Sequence, residues 1–413
     1  MHRVKERLQL AFTVFALFFG AGNLIFPPFL AWQSGENLLP AFCGFIITAI
    51  GFPVLSLIAI GKTGSLDKLS SRVHPLFSRI FTIIIYLAIG PCLAIPRTAS
   101  TSYEMVKAAA GIESPIWGLL YSAVFFILAG IIAFHPEKLS KSLGRILSPL
   151  LILLIIILFI GTAGTMAAAG EASAGYASHP FATGFREGYQ TMDAIAGLVF
   201  GIVVAMNAAA FGYKEKEAAK EGMIASAGGG ILLLAVYSAL TMIGTKAAAF
   251  VTGPETGADI LSGAAAFISS DYGRFLIAAI FVIACFNTSV GLLSSCGEYF
   301  SRIIPGISKK KWIIIFAVIS GIIANAGLGT IISISSPILE LIYPAAIVLI
   351  LLAFFPYSEK YRLCYVLSVS AALISSFLSM IGIPLPFSSA GFGWLLPTLA
   401  AAVAGYAYGY VKK

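Results

Sequence analysis

The chain has 413 residues, of which 59% are hydrophobic and only 11% are charged, and its mean hydropathy is +0.96. Soluble globular proteins are about one quarter charged, so this composition excludes a soluble protein and predicts an all-α integral membrane protein. Apolar runs recur along the whole chain with short linkers, which also excludes a separate soluble domain on a single anchor. A run such as 150–160 is apolar on every face, whereas the strands of a membrane β-barrel alternate.

Twelve membrane-spanning helices are predicted when the chain is divided at its glycine, proline and charge clusters, because a bilayer core about 30 Å thick requires roughly 20 apolar residues per helix. The basic and apolar start is similar to a signal peptide, but no small-residue cleavage site follows, so we expect the first span to be retained. The predicted spans are 8–32, 38–61, 77–106, 115–134, 142–165, 189–212, 220–245, 272–298, 311–326, 335–356, 361–380 and 390–411.

The net charge of +8 is concentrated in the two tails and in every second predicted loop. Loops that face the cytoplasm carry an excess of lysine and arginine, so both termini are predicted to be cytoplasmic and no nucleic-acid partner is expected. These positions hold 21 of the 26 basic residues, namely Arg3, Lys5, Arg7, Lys62, Lys68, Arg72, Arg79, Lys138, Lys141, Arg145, Lys214, Lys216, Lys220, Arg302, Lys309, Lys310, Lys311, Lys360, Arg362, Lys412 and Lys413.

The first ten predicted spans divide into two sets of five, at about 8–165 and 189–356, and two additional helices follow at about 361–411. An odd number of spans per set places the second set upside down relative to the first. Such inverted repeats, with discontinuous helices at the midplane, are typical of secondary transporters. We therefore predict one transmembrane transporter domain, with helix breaks at 18–28 in span one and near 192–201 in span six.

Four motifs carry a resemblance to a known family: FALFFGAGNLIFPPF at 15–29, IGPCLAIPRTASTSYE at 89–104, GYQTMDAIAGLVFGIVV at 188–204 and CFNTSVGLLSSCGEYF at 285–300. With them the whole chain resembles the branched-chain amino acid:cation symporters of the bacterial BrnQ type, which are carriers with the leucine-transporter (LeuT) fold. The resemblance implies import of leucine, isoleucine and valine across the bacterial inner membrane by alternating access. It implies no cofactor, with Na+ as the coupling ion and H+ as a possible substitute.

The segment Gly20, Ala21, Gly22 and Asn23 is the predicted break in span one. Small residues also permit close helix packing, but the Asn23 amide can satisfy freed backbone groups, and two prolines further on weaken the helical ladder. We expect the amides of Ala21 and Gly22 to face a substrate carboxylate, because a helix N-terminus carries about half a positive charge. The carbonyls from Ala16 to Phe19 would then face a cation.

Thr288 and Ser289 are adjacent hydroxyl residues in an apolar part of span eight. Hydroxyls in membrane helices often bond to a carbonyl of their own helix. In LeuT-like carriers, however, this span supplies a hydroxyl pair to a sodium ion whose other ligands are carbonyls of broken span one. The resemblance therefore implies a Na+ site formed by Thr288, Ser289, Ala16 and Phe19, and oxygen ligands of this kind suit an alkali cation.

Asp193 is the lone acid of span six and follows Thr191 closely. A carboxylate within the membrane is costly and is a functional hypothesis by default, so Asp193 is expected to attract the substrate ammonium or to bind a proton. The alternative is a position at headgroup level at the outer interface. Leu198 and Phe200 are expected to be apolar walls of the substrate pocket.

Arg97 in span three and Glu340 in span ten are the other conspicuous charges. A pair of opposite charges offsets part of the cost of leaving water, so we hypothesise that they form an outer gate. Alternatively, Arg97 bonds Glu104 on its own helix or extends to the interface.

The chain carries no HExxH, Walker A or GxSxG motif, and its four histidines lie in tails or loops. An enzyme and an ATP-driven pump are therefore not expected. A proton-coupled carrier of another amino acid class on the same fold remains the alternative function. Membrane lipid is the expected surroundings, and the sequence does not predict the oligomeric state.

Overall fold

The fold is built from α-helices, without a β-strand among the residues that the computed structural model describes. These are residues 2–111, 114–135, 145–162, 164, 170–213, 215–269, 272–355, 357–358 and 361–411. Six basic residues used for the predicted topology lie outside the described residues, as does the side chain of Lys216; the six are Lys138, Lys141, Lys214, Lys360, Lys412 and Lys413.

Nine helices cover the described part of the first half of the chain. They are α1 His2–Phe18, α2 Ala21–Ser34, α3 Leu38–Ile46, α4 Phe52–Thr63, α5 Leu66–Ser70, α6 Pro75–Leu87, α7 Ala94–Ala110, α8 Ile116–Ala133 and α9 Ser148–Gly161. Two π-helical segments, Ile47–Gly51 and Ala88–Cys92, join α3 to α4 and α6 to α7. Each of these two joined helices corresponds to one predicted span.

Ten further helices follow in the described second half. They are α10 Ala174–Ser178, α11 Pro180–Glu187, α12 Asp193–Ala210, α13 Glu215–Ala247, α14 Gly257–Ile268, α15 Tyr272–Ile303, α16 Lys309–Ala324, α17 Leu328–Leu352, α18 Arg362–Met380 and α19 Leu395–Val411. Of these, α10, α11 and α14 lie in segments predicted to be loops. The 3₁₀ turn Gly188–Thr191 continues α11 up to Met192.

Eight segments in the described residues are long and apolar enough to cross a membrane. They are Ala21–Thr63, Pro75–Ala110, Ile116–Ala133, Pro180–Ala210, Glu217–Ala247, Tyr272–Ile303, Leu328–Leu352 and Arg362–Met380. Three shorter apolar helices accompany them, at Arg145–Gly161, Gly257–Ile268 and Leu395–Val411. A multi-pass membrane protein is thus confirmed, whereas the count of twelve spans and the inverted repeat stay predictions.

Both predicted helix breaks are present, although each is narrower than expected. The first lies at Phe19 and Gly20, and α2 continues through both of its prolines. The second lies at Met192, and the helical segment before it begins at Pro180 rather than at 189. A third break, at Gly90 in the span formed by α6 and α7, was not predicted.

The half-helix α11 packs on α3 at very short range. A Cβ atom built on Gly44 would lie 2.1 Å from the carbonyl oxygen of Phe181, and one built on Gly184 would lie 1.9 Å from that of Ala41. Only glycine permits this approach of two backbones. The two glycines therefore fix the position of the segment that leads into the second break.

The start of α1 and the beginning of α13 form a charged surface, which we call the basic face. Arg7 donates two hydrogen bonds to the Glu221 carboxylate, at 2.6 and 2.7 Å, and the Tyr213 hydroxyl donates to Glu6 at 2.6 Å. These contacts hold the start of α1 against the beginning of α13 at the basic face. That the basic face lies in the cytoplasm stays a prediction from the charge pattern.

Candidate functional site

The first break releases backbone groups at the centre of the bundle. Gly20 has extended backbone angles, φ −121° and ψ −154°, which end the helical pattern of α1. Its amide donates to Asn23 Oδ1 at 3.0 Å instead of to the Ala16 carbonyl, so the Ala16 carbonyl lacks its helical donor. Since α2 begins at Ala21, the amides of Ala21 and Gly22 lie in its first turn and have no acceptor within the helix. These two residues are therefore a helix N-terminus, not an unwound segment.

The second break is formed by Met192, whose φ of 64° lies in the left-handed region that residues other than glycine seldom adopt. Before it, the Thr191 hydroxyl donates to the Gly188 carbonyl at 2.9 Å. After it, the Asp193 amide donates to Thr191 Oγ1 at 3.4 Å, and Asp193 is the first residue of α12. A backbone strained in this way persists only where its surroundings hold it.

The two breaks are joined by a buried polar cluster of Asn23, Asp193 and Tyr237. Their exposed fractions are 1%, 3% and 0%. The Asn23 amide donates to Asp193 Oδ2 and to the Tyr237 hydroxyl, and that hydroxyl donates to Asp193 Oδ2 at 3.2 Å. Asp193 is thus enclosed between helices, and its depth relative to the outer interface stays a prediction.

Tyr237 was not predicted as a site residue. It lies in α13 among apolar residues, and its ring packs between those of Phe19 and Phe45, with centroid distances of 6.2 and 5.6 Å. Nothing in its local sequence separates it from an ordinary buried aromatic residue. Tyr237 is recognised only in the structure, where its hydroxyl contacts both Asn23 and Asp193 at the two helix breaks.

Arg97 lies beside this cluster and is 4% exposed. Its Nη1 donates to the Gln190 carbonyl at 2.9 Å, and a Cβ atom built on Gly22 would lie 2.9 Å from its Nη2. The hypothesis that Arg97 pairs with Glu340 is wrong, because Glu340 Oε1 accepts from Arg186 Nη2 at 2.8 Å. Arg97 contacts the substrate-site candidates instead of an outer gate partner.

The predicted cation ligands carry buried oxygens that no hydrogen bond occupies in the described part of the chain. Neither Thr288 Oγ1 nor Ser289 Oγ has a partner there. A Cβ atom built on Gly20 would lie 2.8 Å from Thr288 Oγ1, so the first break contacts this hydroxyl directly. These hydroxyls and the Ala16 carbonyl, which lacks its helical donor, are neutral oxygens of the kind that suits an alkali cation. The Na+ site that they would form with Phe19 stays a prediction.

A cavity of about 20 Å³ lies where the two breaks meet. Of the predicted residues, Leu198, Phe19, Ala16, Ser289 and Glu340 are not part of its wall. Its lining includes Leu17, Phe18, Gly20, Ala21, Gly22, Asn23, Arg97, Thr191, Met192, Asp193, Phe200, Thr288 and Leu292. A volume of this size holds about one water molecule.

Opposite charges and two helix N-termini therefore face one small cavity. The first turns of α2 and α12 present backbone amides whose dipoles favour an anion. Asp193 supplies a carboxylate that can bind a cationic group. Arg97 supplies a positive charge beside the amides of α2, which adds to their attraction for an anion. Apolar side chains such as Phe200 and Leu292 complete the wall. This arrangement suits a small zwitterion with an apolar tail.

Comparison with protein families gives a match over nearly the whole chain. The model of the branched-chain amino acid transport protein family matches residues 3–412. The branched-chain amino acid permease BraB of Bacillus subtilis is 37% identical over 427 residues, covering 98% of this chain and 95% of the relative. The branched-chain amino acid permease BrnQ of Escherichia coli is 34% identical over 423 residues, covering 97% and 95%.

Solved structures of LeuT-fold transporters share the architecture. MhsT in complex with L-phenylalanine aligns with a TM-score of 0.60 and 17% identity, covering 97% of each chain. A Na+-coupled sialic acid symporter in a substrate-bound outward-open state aligns with a TM-score of 0.63 and 14% identity, covering 98% of this chain and 89% of the other. At these identities the likeness establishes the LeuT fold and nothing more specific.

Proposed function

Because the chain belongs to the branched-chain amino acid transport protein family, a family of transporters and not of enzymes, we propose that it imports leucine, isoleucine and valine across the bacterial inner membrane by Na+-coupled alternating access. The observation that carries this proposal is the meeting of two helix breaks at a cavity lined by Asp193 and Arg97. Discontinuous helices that meet at the midplane are where secondary transporters hold substrate and coupling ion.

The substrate would be held by its two charges. Its carboxylate is placed at the amides of Ala21 and Gly22 and near the Arg97 guanidinium, and its ammonium group is placed at Asp193. The aliphatic side chain would pack on Phe200 and Leu292, which line the cavity. An apolar pocket distinguishes one methylene by only about 1–3 kcal/mol, so all three branched-chain amino acids are expected to be carried.

The proposed coupling ion gives a first test. Changing Thr288 and Ser289 together to alanine removes two of the proposed Na+ ligands, so the Na+ concentration for half-maximal leucine uptake is expected to rise at least ~10-fold, the equivalent of about 1.4 kcal/mol. Uptake of labelled leucine into proteoliposomes at varied Na+ measures this. The matched control is Ser301→Ala, because Ser301 lies near the end of α15 and bonds the Glu298 carbonyl. An unchanged Na+ dependence in the double variant would remove the cation assignment.

Proton coupling is the second candidate, favoured by one feature. Asp193 is a buried carboxylate with two hydrogen-bond donors, and it could take up and release a proton during the cycle. Imposing Na+ and proton gradients separately on the same proteoliposomes distinguishes the two ions. Leucine accumulation with a proton gradient alone would replace Na+ as the coupling ion, and the same assay with other amino acids tests the alternative substrate class.

The proposed topology gives a further prediction. In a cysteine-free background, a membrane-impermeant thiol reagent added to intact cells should label cysteine at Glu36 or Glu255 and not at Lys68 or Lys310. All four side chains are exposed in the described structure, so differences in labelling report the side of the membrane and not burial. Labelling at Lys68 from outside would reverse the assignment of the basic face. Gly257 is unsuitable as a reporter, because a Cβ atom there would lie 1.8 Å from the Ile25 carbonyl oxygen.

A further inference from the structure

A second cavity, of about 170 Å³, shares no lining residue with the cavity at the helix breaks. It is about eight times larger than the cavity at the helix breaks, which measures about 20 Å³. It is enclosed by the end of α11, by α17 and α18, and by the loop that leads into α19. Its lining residues are Arg186, Tyr189, Glu340, Pro344, Ser376, Ser379, Met380, Ser388, Gly391 and Trp394.

Arg186 and Glu340 place opposite charges side by side in this cavity. Their one hydrogen bond, of 2.8 Å, joins Arg186 Nη2 to Glu340 Oε1, and the side chains are 44% and 48% exposed. In the described residues, the other nitrogens of the guanidinium and the second carboxylate oxygen have no hydrogen-bond partner. Ion pairs as exposed as this one are weak, so a ligand with both charges can replace the contact.

Two buried polar groups of the same cavity make no well-formed hydrogen bond in the described residues. The Tyr189 hydroxyl and the Trp394 indole nitrogen are buried and lie close enough to interact with each other, but neither makes a hydrogen bond of good geometry in the part of the chain that the structure describes. Both residues are more than nine-tenths buried and belong to the lining. A buried polar group without a partner is costly and is uncommon in native proteins. A polar ligand in this cavity would offer both groups a hydrogen bond of better geometry than the one between them.

The loop before α19 holds Arg186 in place. Gly391 has a φ of +79°, and a Cβ atom there would lie 2.2 Å from Arg186 Cδ. The next residue, Phe392, packs edge-on against Phe185, with ring centroids 5.0 Å apart. The two C-terminal helices thereby contribute one wall of a cavity that also contains the half-helix before the second break.

We propose that this cavity is a second binding site, which takes a zwitterionic α-amino acid. The ligand's carboxylate binds Arg186 and its ammonium group binds Glu340, because both ligand charges are carried by a single carbon and the two protein charges are adjacent. Pro344 and Met380 offer an apolar surface to an aliphatic side chain. The identity of the ligand as an amino acid of the transported class rests on the proposed function.

Trp394 provides a direct readout of this site. Purified full-length protein with Asp193→Ala, which disables the site at the helix breaks, is titrated with leucine while tryptophan fluorescence is followed. We expect a saturable change that disappears with Trp394→Phe. Arg186→Gln and Glu340→Gln should each raise the midpoint at least ~10-fold, whereas Arg186→Lys, which keeps the charge, should raise it less. Lys107→Gln, at the end of α7 and outside the cavity, is the matched control and should leave the midpoint unchanged.

Ligand analogues and uptake complete the test. Isocaproate and isoamylamine each lack one charge and should not compete with leucine; equal affinity for either one would overturn the zwitterion site. A midpoint that neither Arg186→Gln nor Glu340→Gln changes would also overturn the proposal. So would the absence of any leucine-dependent fluorescence change from Trp394 in protein that takes up leucine. Failure of the wild-type protein to take up leucine, with the Trp394 response intact, would instead refute the proposed function and leave the second site standing.

Discussion

Changing Asp193 to alanine is expected to abolish leucine uptake, with at least a 100-fold loss. The substitution removes the proposed counter-charge for the substrate ammonium. It also removes the acceptor of the Tyr237 hydroxyl and one of the two acceptors of the Asn23 amide, and it leaves Arg97 without the nearby carboxylate. Each buried donor left without its acceptor costs about 1–3 kcal/mol. Uptake of labelled leucine, together with equilibrium binding to purified protein, measures the loss.

Tyr237→Phe is the matched control for this prediction. It retains the ring between Phe19 and Phe45 and removes only the hydroxyl, so the bond from Asn23 to Asp193 remains. A lost hydrogen bond to a charged group corresponds to about 1.5–3 kcal/mol, and we therefore expect an intermediate loss of roughly 10- to 100-fold. Normal uptake by the Asp193→Ala protein would take the carboxylate out of the substrate site.

Gly22→Val is expected to abolish leucine binding by pushing the two broken helices apart. A Cβ atom at Gly22 would lie 2.9 Å from Arg97 Nη2, 3.1 Å from Thr191 Cα and 3.2 Å from the Gln190 carbonyl oxygen. Two of these three atoms belong to the backbone before the second break, which cannot rotate away as a side chain can. Overpacking of this kind costs about 1–3 kcal/mol and shifts the amides of α2 away from Asp193.

The control for Gly22→Val is Gly329→Val, since a Cβ atom at Gly329 meets no other atom within 4 Å and the residue lies in the first turn of α17. Both variants are assayed for leucine binding after size-exclusion chromatography has shown a folded monodisperse protein. Only the Gly22 variant should lose binding. If it binds leucine as the wild type does, then the close approach of the two breaks is not required.

The helix breaks could be predicted because each interrupts an apolar helix with polar residues, which are costly to place inside a membrane. Asn23 after two glycines and Asp193 in span six are polar residues in mid-membrane, and such residues are few in this chain. The extent of each break could not be predicted. In the structure the helical pattern of α1 ends before Gly20, and Asn23 caps α2 only three residues later. The sequence predicted a break that extends over the whole segment up to the two prolines.

Contacts between residues far apart in the chain could not be predicted from the sequence. Arg97 was matched with Glu340 because both are isolated charges, but the structure brings Arg186 to Glu340 through the packing of α11. Tyr237 is one of 16 tyrosines, and only the contact of α13 with both broken helices marks it. Helix α14 lies between two predicted spans and was not predicted, although the Thr256 amide donates to Asp259 Oδ2 at 2.8 Å in a capping pattern that the sequence shows.

The cavity at the helix breaks has a consequence for measured affinity. With room for about one water molecule, the conformation described here holds no leucine, so binding must select or create a wider one. If that wider form is about one hundredth of the population, the apparent Kd is about 100-fold weaker than the intrinsic one. Substitutions far from the cavity that loosen α1, such as Glu221→Gln at its bond with Arg7, should then tighten leucine binding without touching the ligand. In that case the affinity would depend partly on contacts at the basic face, far from the ligand.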